Sequence, residues 1–141
     1  KGMGGMRKSL GQLKQGNGLG LFPAGEVSTW YKGQRGISDK TWPIASVRLI
    51  RKANVPVIPV YFHGRNSASF HILGKIHPAL RTLRIPAEFL KKRKSTIHLG
   101  IGEAITPEQI AACTTDEALR DFLRQQTYRQ AEQFHSLPLK L

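Results

Sequence analysis

The chain has 141 residues, a hydrophobic fraction of 40% and a formal net charge of +13, which is enough length for one domain with a real core. The single Cys113 excludes an internal disulfide framework. No apolar run approaches the ~20 residues that a spanning helix needs, and Lys1–Gly5 lacks the apolar centre of a signal peptide.

The charge is uneven: 18 basic against 3 acidic residues up to position 100, and 4 against 6 beyond it. A basic body of this kind suits an anionic partner, either membrane headgroups or nucleic acid.

In chain order, Arg7 to Gln15 has a short helical pattern, closed by Gly16-Asn17-Gly18. Leu19–Phe22 reads as a short buried strand, and Thr29 to Ser38 as a glycine-bearing loop. Asp39 is placed to cap a helix from Lys40 to Ala53, on which Trp42, Ala45, Leu49 and Ala53 recur at helical spacing. Val55–Tyr61 reads as a central strand, although Pro56 and Pro59 fit a ladder poorly.

Ser67 to Leu73 is compatible with strand or helix. Pro78 to Leu83 and Pro86 to Lys92 read as helical pieces, the second closed by Lys91-Lys92-Arg93-Lys94, where cations meet the negative end of the helix dipole. Thr96–Ile101 is a third strand. Thr106-Pro107-Glu108-Gln109 and Thr114-Thr115-Asp116-Glu117 are capping boxes, the second opening a helix from Thr115 to Phe134 with Leu119, Phe122, Leu123, Ala131 and Phe134 on one side. The alternation of strand and helix predicts an α/β fold, a single layered sheet with flanking helices. Residues 1–141 form one domain, with 106–141 as a helical tail packed on it.

Three segments carry candidate chemistry. In Leu21-Phe22-Pro23-Ala24-Gly25-Glu26-Val27-Ser28 a strand runs into a turn that presents a carboxylate and a hydroxyl. Such a turn can aim backbone N–H groups and a hydroxyl at an anion, and glycine permits close approach. The plainer alternative is a strand-ending turn with Ser28 as a helix cap. Glu26 would repel a phosphate but attract a cationic amine. Lys32 and Arg35 follow, as phosphate-holding or merely solvated cations. His63-Gly64-Arg65-Asn66-Ser67 is the third, a loop at a strand end where binding residues often lie. Arg65 is its candidate contact, a structural turn being the alternative.

The Phe22–Ser28 block and the Val55-Pro56-Val57-Ile58-Pro59-Val60-Tyr61 block resemble, in order and spacing, the glycerolipid acyltransferases of the lysophosphatidic acid type. The usual Phe-Pro-Glu-Gly-Thr-Arg-Ser is matched by Phe22, Pro23, Gly25 and Ser28. Ala24 stands at the glutamate's place, with Glu26 two residues later. That variant, and the Gly-x-Asn-Ser of Gly64 to Ser67, look like a bacterial branch labelled hemolysin, some members of which acylate lyso-ornithine lipids. The resemblance covers roughly residues 7 to 105.

The resemblance implies acyl transfer from an acyl carrier protein or coenzyme A thioester to a lysolipid, with no bound cofactor or metal. It also implies an enzyme working at the inner face of a bacterial membrane, in the cytoplasm. Gly25, Glu26, Ser28, Arg35 and Arg65 would contact the acceptor.

The family's catalytic His-x4-Asp lies upstream of the Phe-Pro block, and none occurs here: Ala68, Ile76, Thr82, Glu103 and Lys140 stand at that interval from the five histidines. The expectation is therefore a C-terminal piece of a longer enzyme, inactive alone.

The competing class is a basic nucleic-acid-binding module, supported by the charge and the Lys91–Lys94 run. No helix-turn-helix, zinc-finger or RNP-type pattern accompanies them. His98 and Glu103 have a tempting interval but fall on opposite faces of a continued strand. Cys113 reads as a small buried hydrophobe, and the histidines lack zinc spacing.

Overall fold

The computed structural model describes residues 2–30, 37–64, 66–93 and 95–135. The elements are α1 (Gly2–Lys14), β1 (Thr29–Trp30), β2 (Ile37–Ser38), α2 (Ile44–Ala53), β3 (Val60–His63), α3 (Ala68–Ile76), α4 (Pro78–Lys91), β4 (His98–Ile101), α5 (Pro107–Ala112) and α6 (Asp116–Arg129). A 3-10 helix, Gln130–Phe134, continues α6.

The fold is mixed helix and sheet, but the sheet is not the single layer expected. β1 pairs with β2 and β3 with β4, each pair antiparallel. Leu19–Phe22 is not a strand and shares no sheet with the Val55–Tyr61 block. The segment is four residues long between glycines and Pro23, and no neighbouring strand among the described residues supplies a ladder. A strand without a partner leaves its backbone groups to water.

The two prolines shape the ribbon of β3 and β4. Strand β3 begins only after Pro59, which has no N–H to give but whose carbonyl accepts from the Gly102 N–H at 2.9 Å. Further back, Val57 and Ile105 exchange both backbone hydrogen bonds, at 2.9 and 2.8 Å. Three residue steps from Val57 to Val60 thus face four from Ile101 to Ile105, a bulge-like offset that bends the ribbon.

The core is helical. Trp42, Val47, Ile105, Ile110, Leu119 and Leu123 are buried together, with Ala24, Ile50, Val57, Cys113 and Phe122 against them. Leu49 and Trp42 are buried as the spacing predicts, but Ala45 is exposed and Val47 takes the inward place. Helix α2 starts at Ile44, after Pro43, without a side-chain cap; Asp39 is engaged elsewhere. On α6, Leu119 and Leu123 are buried as expected. Arg48 and Arg51 of α2 both pair with Asp116 of α6, at 2.8 and 3.1 Å.

Thr106 and Gln109 form the full reciprocal capping box, whereas Thr115 caps α6 by accepting from the Ala118 N–H alone. The ambiguous stretch after Ser67 is helical, and the two pieces predicted between Pro78 and Lys92 are one helix that contains Pro86.

One face of the β3–β4 ribbon is covered. Tyr61, His63 and His98 turn towards the 3-10 helix, where the Phe134 ring lies 4.9 Å from that of His63. The other face carries Ile58, Val60, Phe62, Ile97, Leu99 and Ile101, all exposed. A ribbon covered on one face and apolar on the other has the pattern of strands buried on both sides.

Candidate functional site

The Phe22–Ser28 turn is tight. The Gly25 N–H reaches the Phe22 carbonyl at 3.1 Å, with Pro23 second in the turn and Gly25 at φ +68. Pro presets the backbone for that second position, and glycine takes the left-handed region without a Cβ clash. Just beyond, Glu26 faces Lys40, whose ammonium lies 3.3 Å from Oε1. Sequence reasoning does not single out Lys40. It lies 14 positions from Glu26, and only the return of the chain past β2 places it there.

Ser28 is committed inward. Its hydroxyl donates to Asp39 Oδ1, and Asp39 Oδ2 accepts from Trp42 Nε1 at 3.3 Å. The Asp39 N–H donates to the Tyr128 hydroxyl at 3.2 Å. Asp39 is therefore a tie between the turn, the buried indole and α6, not the helix cap expected. Burial pushes the Tyr61 phenol up, and the Asp39 carboxylate adds to it. Burial likewise pushes Tyr128 up, and the hydrogen bond from the Asp39 N–H pulls back without cancelling it.

The turn meets β3 and α3, the elements on either side of the 63–67 segment, through two contacts. The Phe22 ring lies 6.0 Å from that of Phe62, one residue before His63. Thr29, directly after Ser28, has its hydroxyl 3.4 Å from Nδ1 of the buried His71 on α3.

The loop itself is pinned from α4. Glu88 accepts from the Ser67 N–H at 2.8 Å and from the Ser67 hydroxyl at 2.5 Å, and the Lys92 ammonium donates to Asn66 Oδ1 at 2.7 Å. Ser67 also caps α3 by accepting from the Phe70 N–H. Burial works against the charge on Glu88, but the two Ser67 bonds and the Lys91 and Lys92 ammoniums outweigh it. The carboxyl sits below the usual range.

Of the predicted acceptor contacts, Gly25, Glu26 and Ser28 thus lie on one turn. Arg35 and Arg65, with Lys32, lie outside the described residues. Glu88 escapes sequence reasoning because its partner Ser67 is 21 positions away and a glutamate in mid-helix looks solvated. His98 pairs across the ribbon with His63, while Glu103 lies past the strand end and is exposed. Cys113 is half-buried at the end of α5. No group of three potential metal ligands occurs among the described residues, and none of their helices is long and apolar enough to cross a membrane.

Comparison with known proteins points to the acyltransferases. The chain is 30% identical over 119 residues to a lyso-glycine lipid O-acyltransferase of Phocaeicola vulgatus, which supports an acyltransferase family. The match takes in 80% of the chain but only 42% of the relative, so the chain spans less than half the length of that protein. No protein-family model matches the chain, and no solved structure matches it significantly.

Proposed function

We propose that this chain is the acceptor-binding part of a lipid O-acyltransferase whose substrate is a lysolipid with an amino-acid headgroup. The observation that carries the reading is the Glu26–Lys40 pair on the Phe22–Ser28 turn, in a chain similar to a lyso-glycine lipid acyltransferase. The pair offers a carboxylate and an ammonium side by side. Glu26 suits a headgroup amine, and Lys40 suits a headgroup carboxylate or phosphate. Lys40 is largely exposed, so the pair itself contributes little to stability and can exchange partners. Ser28 keeps the turn in place through Asp39, and Glu88 does the same for the 63–67 loop.

The acyl donor is an acyl carrier protein or coenzyme A thioester, and no further cofactor takes part. The base that removes the acceptor's hydroxyl proton must lie within hydrogen-bond reach of it. The family's His-x4-Asp would fill that role from polypeptide outside residues 1–141. The open apolar face of the β3–β4 ribbon is where such a segment would pack. The relative's greater length supports this arrangement, which belongs on the cytoplasmic face of a bacterial membrane. Membership of the hemolysin-labelled, ornithine-lipid branch rests on the Phe22–Glu26 and Gly64–Ser67 sequences alone.

The test measures lysolipid binding and thioester consumption by the 141-residue chain. Lysolipids with glycine or ornithine headgroups should bind more tightly than lysophosphatidic acid. Glu26→Gln and Lys40→Gln should each weaken that binding, by about five- to ten-fold for the loss of one charge-assisted contact. No turnover is expected with either donor. Turnover abolished by His98→Ala would place the catalytic base in this chain and sink the assignment. Sequence-selective binding to duplex DNA without lysolipid binding would favour the nucleic-acid module instead.

A further inference from the structure

Helix α4 is inverted for a helix on a basic protein. Its inward side is polar: Glu88 is only 5% exposed and meets Ser67, with Arg84 and Lys91 beside it at 3.9 and 3.7 Å. Its outward side is apolar. Leu83, Phe89 and Leu90 are 76%, 77% and 65% exposed. At 3.6 residues per turn Leu83, Pro86 and Leu90 form one stripe, with Phe89 at its edge. A helix that packs on its own core has the reverse arrangement. Here the inner side is taken by the groups that pin the 63–67 loop, so the apolar stripe serves something outside the described fold.

Charge identifies that partner. The stripe runs towards Lys91, Lys92 and the exposed Arg93, on a chain of net charge +13. Apolar side chains bordered by cations match the boundary between acyl chains and anionic headgroups. The 14-residue helix is about 21 Å long, too short to cross a ~30 Å hydrocarbon layer, so it can only lie in the interface.

We infer that the outward stripe of α4 is a contact surface for an anionic lipid bilayer, with Leu83, Phe89 and Leu90 seated at the acyl boundary. The inference rests on the acyltransferase reading, because an enzyme that acylates a lysolipid meets it at a membrane. It adds a geometry: Glu88 and Lys92 tie Ser67 and Asn66 to the inner side of the same helix. Seating α4 on the bilayer therefore brings the candidate acceptor loop to the lipid.

The experiment is co-sedimentation of the 141-residue chain with phosphatidylcholine vesicles, with or without phosphatidylglycerol. The salt is varied so that the Debye length falls from ~10 Å at 0.1 M to ~3 Å at 1 M. The chain should partition onto the anionic vesicles and be released by salt. Leu83→Glu/Phe89→Glu should weaken partitioning by about ten-fold or more, since two buried apolar contacts become charges. Both positions are exposed, so the circular dichroism spectrum and melting curve should be unchanged. Ile101→Glu, at an exposed site on the β3–β4 ribbon, should partition like the parent chain.

Four results would overturn the inference. The double variant could bind as the parent does, or Ile101→Glu could lose as much. The double variant could instead dissolve a self-associated species seen without vesicles, which would make the stripe a protein interface. A parent chain that fails to bind anionic vesicles also rejects it. Each of these leaves the acyltransferase reading to stand or fall on lysolipid binding.

Discussion

At the scale of single residues, Glu88 shows how hydrogen bonds and nearby cations offset the penalty of burying a charge. Two hydrogen bonds from Ser67 and two nearby ammoniums hold it ionised in the interior. Removing the charge while keeping the shape should weaken both bonds. Glu88→Gln should destabilise the fold by about 1.5–3 kcal/mol at neutral pH, the usual range for hydrogen bonds to a charged group. The sign of the pH dependence follows from the lowered pKa. The contribution is fully present above the ordinary carboxyl value of ~4.3 and is lost as pH falls through the folded value. Urea titrations should therefore show the gap between Glu88 and Gln narrowing in acid. Equal stability at pH 7 would show that the pinning of Ser67 is incidental.

At the scale of elements, the contact between β4 and the 3-10 helix depends on the absence of a side chain at Gly100. A Cβ there would lie 2.8 Å from the Gln130 Cβ and 2.9 Å from the Gln130 carbonyl oxygen. Neither atom can swing aside without moving the helix. Gly100→Ala should cost about 1–3 kcal/mol, as overpacking does, and loosen the Phe134 ring from His63 and His98. Gly18→Ala is the internal control, since nothing lies within 4 Å of its added Cβ and its φ is not positive. A melting temperature for Gly100→Ala no lower than that of Gly18→Ala would contradict the packing described.

At the scale of the whole molecule, the Asp39–Tyr128 hydrogen bond joins residues 89 apart and closes the chain around the Trp42 core. The buried phenols also set an alkaline limit. Tyr61 and Tyr128 both titrate above their ordinary value, chiefly because burial disfavours the phenolate. A raised phenol pKa leaves stability untouched below the unfolded value of ~10, and stability is lost as pH rises through the folded value. These two groups should make the protein lose stability as pH rises above about 10. Tyr128→Phe should be less stable at neutral pH but should flatten the alkaline decline. An unfolding midpoint in urea that falls between pH 7 and 9 would point to a different titrating group.

The features legible in the chain divide from the others along a physical line. Those written within one turn of backbone were readable: the Thr106–Gln109 capping box, the Thr115 cap, the Leu119–Leu123 stripe and the turn closed by Pro23 and Gly25. Each depends on neighbours three or four positions away, so local spacing carries the information. The Phe22–Ser28 block also pointed to lipid acyl transfer, and the similarity to a lipid acyltransferase agrees with that class.

Features that need a distant partner were not readable. Leu19–Phe22 has the composition of a strand but no ladder to join. Asp39 looks like a helix cap but is drawn to Ser28, Trp42 and Tyr128. Helix α4 reads as two helical pieces, whereas its inward face is fixed by the bond between Glu88 and Ser67, 21 residues earlier. The sequence by itself settled α5, α6 and their caps and pointed to the class of chemistry, because those rest on local geometry and residue type. Tertiary structure alone decided which strands pair, which carboxylates turn inward and which apolar faces stay open, because each depends on groups that meet only when the chain is folded.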